Sequence, residues 1–485
     1  MKRYIALTLL MAVCLGAVSC EGWLDVKPKS MTPDEELFSR EDGFKEALTG
    51  AYILAAKKEL YGTTLSIDFL EGIAQRYNTM KNGEYIYQDP LWYDFTTSNK
   101  LTSDYTNKIW ENMYRVISNI NNMLSWLEKN RSVLVTDNYY EIMRGEGLAL
   151  RSYLYFDLLR MYGPVHSRNP KAPSIVYRTQ FDREAKSLVP ADEMLGYIIA
   201  DLKEAEELLA DTDPLDFEYS NDSGEKVGPA DGEDGFLIFR FKRMNLMAVK
   251  ALLARVYLWS GSDNDRLNAN TYAREVIKSE HFSLGRSNTD TPILPSEIIF
   301  GVHVDDFETK VTDEMDKANS PWRIQGDNFF AKQFTTSQDG GVDWRLSTVT
   351  GFSRDGQMYT TLKYKQSSLP YSMGGTIPLI RLAEMYFILI ETEKTLTSAG
   401  MYLNEFRDSR GNTPLTLGEP ADLDKQLAIE YSREFYAEGQ LWYFYKRNFT
   451  QQIANSPLSS MTDSNYTFPI PDDELKFGAV GSEEE

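Results

Sequence analysis

A mainly α-helical fold, with tetratricopeptide-like hairpins, long irregular loops and little strand, is what this sequence predicts. Three observations carry the prediction: several stretches space their apolar residues at helical intervals, two of them share a pentapeptide pattern, and strand-like alternation is scarce. The clearest stretch, 104–128, puts Ile109, Met113, Ile117, Ile120, Leu124 and Leu127 on one face and polar residues on the other. The next, 139–162, behaves alike and stops at Gly163-Pro164, so the two should form a helical hairpin. Further amphipathic stretches cover 41–58, 192–209, 241–260, 379–396 and 423–446. Arg151-Ser152-Tyr153-Leu154-Tyr155 matches Arg255-Val256-Tyr257-Leu258-Trp259, and each is followed by a glycine, Gly163 or Gly261. Ala248, Ala251 and Ala254 would let a neighbouring helix approach closely, as in stacked helical repeats. A short hairpin near 298–304 is the one strand signal, and the long polar loops are 211–235 and 310–368.

The N-terminus reads as a bacterial lipoprotein signal. Lys2 and Arg3 precede an uncharged apolar run that ends at Ala17-Val18-Ser19-Cys20, too short to span a bilayer and suited to cleavage before an acylated thiol. Residues 1–19 are therefore the expected signal peptide and Cys20 the lipidation site. Cys14 falls in the removed segment, so the mature chain keeps one cysteine and no internal disulfide. The formal charge is −21, and loss of Lys2 and Arg3 makes it more acidic still, which argues against nucleic acid as a partner. Membrane contact should come from the lipid rather than from charge.

Catalytic constellations are scarce. His166, His281 and His303 are far apart and never at the i, i+4 spacing of a helical zinc site. No nucleophile elbow, phosphate loop or dinucleotide fingerprint is present. A pair of carboxylates for glycoside hydrolysis could come from any of the 72 acidic residues, and spacing alone does not select one. Asp263-Asn264-Asp265 and the acids of 231–234 do not match a calcium-loop spacing, so no metal or other cofactor is expected. The positive signal is aromatic content, 13% of the chain. A sugar offers an apolar face to Trp or Tyr and hydroxyls to Asn, Asp or Arg. Two loops supply those parts: Arg76, Tyr77, Asn78, Tyr85, Tyr87, Trp92, Tyr93 and Asn99, then Trp322, Arg323, Gln325, Asp343, Trp344 and Arg345. Trp110, Trp126, Trp259 and Trp442 lie in helical stretches and are expected in the core.

Six ordered blocks together resemble the SusD/RagB family of glycan-binding lipoproteins. They are Trp23-Leu24-Asp25-Val26-Lys27-Pro28 after the cysteine, the Trp110, Tyr114, Ile117, Asn121 pattern, and the run from Glu146 through Phe156-Asp157-Leu158 to Tyr162-Gly163-Pro164. The second half adds Arg381-Leu382-Ala383-Glu384, then Arg433-Glu434-Phe435 with Glu438-Gly439 and Trp442, and Phe468-Pro469-Ile470-Pro471 with Glu474. Gln440 stands where the family commonly has arginine, and Tyr431 and Ser432 depart from it nearby. The resemblance implies one SusD-like α-α superhelical domain over 20–485, with halves 20–235 and 236–485. It also implies an outer-membrane, lipid-anchored protein at the cell surface, with no enzymatic activity. Such a protein would capture oligosaccharides and pass them to a TonB-dependent transporter. The ligand residues it suggests are Arg76, Tyr77, Trp92, Tyr93, Asn99, Trp322, Arg323 and Trp344. Capture of peptides or glycopeptides by the same fold, a glycoside hydrolase, and a structural subunit of the cell surface stay open as alternatives.

Overall fold

The computed structural model describes residues 34–477 apart from 81–82, 97, 183, 216–234, 287–292, 335–342, 348–350 and 366–372. The signal peptide, Cys20, the Trp23–Pro28 block and the acids of 231–234 lie outside the described residues, as do most of the loop 211–235 and parts of 310–368.

Helices run in chain order and pack mainly on their sequence neighbours, which makes a superhelix of hairpins. Helix α1 (Glu41–Ala55) packs on α2 (Lys100–Lys129), α2 on α3 (Tyr139–Tyr162), α3 on α4 (Ala191–Leu209), α4 on α5 (Leu246–Ser260) and α5 on α6 (Asp263–Lys278). After a long excursion, α7 (Leu382–Thr392) packs on α6 and α8 (Leu396–Ser409), and α9 (Pro420–Glu434) and α10 (Gln440–Arg447) close the chain. Capping explains several of the boundaries. Asn99 accepts from the Leu101 N–H at the start of α2, and Asn245 accepts from Ala248 N–H at the start of α5. Gly261 ends α5 with φ of +77°, a conformation glycine adopts without steric cost. Ser262 caps α6 through the Asp265 N–H, and Asp265 accepts in turn from Ser260 and Ser262, so this acidic cluster serves helix capping.

The arginines of the shared pentapeptides both make ties between helices. Arg151 on α3 reaches Asp201 on α4 at 2.9 Å and Asn121 on α2 at 2.8 Å. Arg255 on α5 forks onto Glu384 of α7, with Nε 2.6 Å from its carboxylate. Each arginine thus ties its helix to a partner across the stack, and the aromatic residues beside it fill the core.

Among the described residues, three small sheets interrupt the helices. Strand β1 (Pro173–Val176) pairs antiparallel with β2 (Leu188–Pro190). Strand β3 (Ile298–His303) pairs antiparallel with β7 (Thr376–Arg381), and β4 (Ile324–Gln325), β6 (Met358–Thr361) and β5 (Phe352–Asp355) form the third sheet. The hairpin expected near 298–304 is therefore half of a long-range pair. Two predicted helices also divide. Residues 379–381 of the expected helix 379–396 belong to β7, which is buried along its whole length and so shows a continuous apolar run instead of alternation. The stretch 423–446 breaks between α9 and α10, where Ala437 and Gly439 take positive φ. Trp110, Trp259 and Trp442 are buried and Trp126 partly so.

Candidate functional site

A cleft of about 580 Å³ opens where three segments converge. One is the π-helical turn Lys58–Gly62 and the loop that follows it; the second is the N-terminal part of α2, at Asp104, Tyr105 and Lys108; the third is the segment 310–322. Its lining includes Lys58, Asp68, Tyr105, Lys108, Lys317 and Trp322.

Asp68 organises the aromatic wall. It is 7% exposed, and one oxygen accepts from the Trp322 indole N–H at 2.9 Å and the Tyr87 hydroxyl at 2.7 Å, while the other accepts from Tyr105 at 3.3 Å. Among the described residues no cation pairs with it, so three neutral donors satisfy this carboxylate. Burial, reinforced by the Asp68 charge, raises the Tyr87 and Tyr105 phenols, which keeps both protonated as donors. The Tyr105 ring lies flat on Phe69 at 4.6 Å. Tyr105 is half-buried, so part of its side chain stays available to the cleft, and Trp322, which also lines it, is 7% exposed.

Of the eight residues expected from sequence, only Trp322 lines this cleft. Trp92 is 2% exposed and sits among Phe69, Tyr87 and Tyr105 at 5.2–5.9 Å, so the ring is a core spacer rather than a presented face. Tyr77 and Tyr93 are buried, with hydroxyls donating to the carbonyls of Ile67 and Ile73. Arg76 is buried too; it donates to the Ser432 hydroxyl at 2.8 Å and carbonyl at 2.6 Å and stacks on Tyr436, fastening the first half of the chain to the second. Asn99 is spent on capping α2 and on the carbonyls of Leu91 and Asp94. Arg323 is buried, and its guanidinium lies 3.4 Å from the Lys317 carbonyl. Trp344 is also buried, donating to the Ser409 carbonyl in a different part of the molecule. The sequence reading missed Asp68 and Tyr105. Tyr105 precedes Ile109 by one helical turn and was absorbed into a helical stretch, and no local pattern marks Asp68.

The motif residues of the second half build a buried ionic network instead of a site. Arg381 reaches Glu434 at 2.6 Å, Glu438 at 2.8 Å and Glu297 at 3.2 Å. Arg410 joins Glu297 and Glu434, both at 2.9 Å, and Arg345 joins Asp343, Glu430 and Glu434. Burial alone would raise the Glu434 carboxyl, but Arg410, Arg381 and Arg345 hold it well below the usual carboxylate range. The network adjoins the cleft's support through a second acid. Glu71, fully buried in the short helix Phe69–Ile73, accepts from the N–H groups of Ala437 and Gly439, each at 2.9 Å. Burial pushes its carboxyl up to about 7, against Arg76 and those two N–H groups. Gly439 seats the turn on this helix: φ is +70°, and an added Cβ would stand 2.1 Å from the Leu65 carbonyl oxygen.

Among the described residues no helix is long and apolar enough to cross a membrane, and no group of three or more histidine, cysteine or acidic side chains is placed to hold a metal ion.

This helical stack with inserted small sheets is the SusD superfamily fold. A SusD-like carbohydrate binding protein from Bacteroides vulgatus shares it with TM-score 0.67 at 18% identity, covering 90% of this chain and 96% of that one. A SusD superfamily protein from Bacteroides thetaiotaomicron gives TM-score 0.67 at 16% identity, covering 92% and 99%. Residues 22–218 match the SusD-like_3 family model, described as starch-binding associating with outer membrane. The SusD-like protein P38 of Formosa agariphila is 23% identical over 541 residues, 97% of each chain. The chain is thus similar to SusD-like proteins in the sequence of its first half and in its fold.

Proposed function

We propose that this protein captures oligosaccharides in the Tyr105–Trp322 cleft, without breaking them, and passes them to a TonB-dependent outer-membrane transporter. The observation that supports the reading best is the aromatic wall held by Asp68, with half-buried Tyr105 and Trp322 both lining the cleft, rimmed by charged and polar side chains. An apolar face bordered by hydrogen-bonding groups is what a sugar ring requires. In this reading residues 1–19 are removed, Cys20 carries the lipid that anchors the protein at the outer face of the outer membrane, and residues 20–485 act as one domain. The lipid keeps a weakly docking protein close to its transporter.

Affinity electrophoresis of the purified protein against a panel of polysaccharides tests the reading, with reducing ends assayed in parallel. Retardation without release of reducing ends is expected, and Tyr105→Ala should weaken binding about five- to tenfold through loss of one stacked ring. Release of reducing ends would replace capture by hydrolysis. Unchanged binding in Tyr105→Ala and Trp322→Ala would move the ligand elsewhere on the molecule.

A further inference from the structure

We infer that the ligand of this cleft is an acidic oligosaccharide, one whose sugars carry carboxylate or sulfate groups. The inference rests on the cleft being the glycan site. The chain as a whole has 72 acidic against 51 basic side chains, yet the cleft lining gathers four lysines, Lys58, Lys108, Lys310 and Lys317, against four acids. Two of those acids are already committed. Asp68 accepts the three donors of the aromatic wall, and Glu314 is paired with Lys317. Only Glu59 and Asp104 remain.

The lysines are not equally engaged. Lys310 donates to the Asp305 carbonyl at 2.7 Å and lies 4.0 Å from Asp306. Lys58 and Lys108 are exposed and, among the described residues, have no ion pair, although Asp104 is one helical turn from Lys108. The Lys58–Gly62 turn packs against α2, so these two ammonium groups belong to one wall, next to Tyr105. An ammonium group only donates, whereas a hydroxyl both donates and accepts. Glu59 and Asp104 can accept hydrogen bonds from sugar hydroxyls, but the free ammonium groups are matched by anionic oxygens. Lysine suits this use, being a point charge on a flexible stem that follows a carboxylate or sulfate along a chain. The overall negative charge opposes the approach of such a ligand, but salt screens it beyond about 8 Å at physiological ionic strength. Inside the cleft the nearby ammonium groups decide.

The test pairs charged polymers with their neutral counterparts in affinity electrophoresis: polygalacturonate and alginate with their carboxyl-reduced forms, and dextran sulfate with dextran. Retention by a charged polymer and not by its neutral partner is expected. It should weaken from 50 to 300 mM salt and fall about tenfold in Lys58→Gln/Lys108→Gln. Binding of neutral polymers that equals or exceeds that of charged ones, indifferent to salt and to the lysine variant, overturns the inference and leaves glycan capture standing. Retention by neither kind overturns both.

Discussion

Glu71→Gln removes one charge and keeps the side-chain shape, so its effect on stability should vary with pH by an amount that can be worked out in advance. Burial raises the folded carboxyl to about 7 from an ordinary value of 4.5. Between those values the folded chain keeps a proton that the unfolded chain has released. The stabilising contribution of this group is therefore full below 4.5 and is lost as pH rises through 7. With about 1.4 kcal/mol for each pH unit of displacement, the loss between pH 5 and pH 8 is about 2.5 kcal/mol. Glutamine does not titrate, but it turns an amide N–H toward one of the two donors, Ala437 or Gly439, at a cost of about 1–2 kcal/mol at every pH. The variant should be slightly less stable than the parent at pH 5 and more stable at pH 8. Urea denaturation of both proteins at pH 5, 6, 7 and 8 gives the difference directly. A constant difference across that range would refute the reasoning.

Two further substitutions probe the same junction. Arg381→Met leaves Glu297, Glu434 and Glu438 short of a cation and should cost about 3 kcal/mol in urea denaturation; Glu438→Gln in the same chain should recover part of it, because the pair is coupled. Gly439→Ala must place a Cβ against the Leu65 carbonyl at positive φ, with a loss of about 3 kcal/mol, read as a lower melting temperature.

The helical architecture was legible because α2 and α3 show one dominant period and a plain stop at Gly163-Pro164. What escaped was set by partners distant in the chain. The break between α9 and α10 depends on Glu71, more than 360 residues earlier, receiving the Ala437 and Gly439 N–H groups. The strand 376–381 imitates a buried helix because both its faces are covered. The aromatic loop before α2 held the right residues for a sugar platform, yet Tyr87 and Trp92 pack inward. Trp322 reaches the cleft because its indole finds Asp68, 254 residues away, and no local pattern announces such a pairing. The resemblance located the fold through residues such as Arg381, Glu434 and Trp442, which here serve packing and ion pairing rather than lining the cleft.

The seating of Gly439 on the Leu65–Glu71 segment has a consequence for the order in which the protein matures. Asp68, Tyr87 and Tyr105 leave the ribosome early, but their third partner, Trp322, comes much later, and the turn that accommodates Glu71 comes later still. The Phe468 N–H, bonded to the Met161 carbonyl at 3.0 Å, joins nearly the last described segment to α3. A nascent or truncated chain ending at residue 235 would hold an aromatic wall with no Trp322 and a buried acid with no turn to receive it. In the proposed reading, ligand binding is thus reserved for the finished chain.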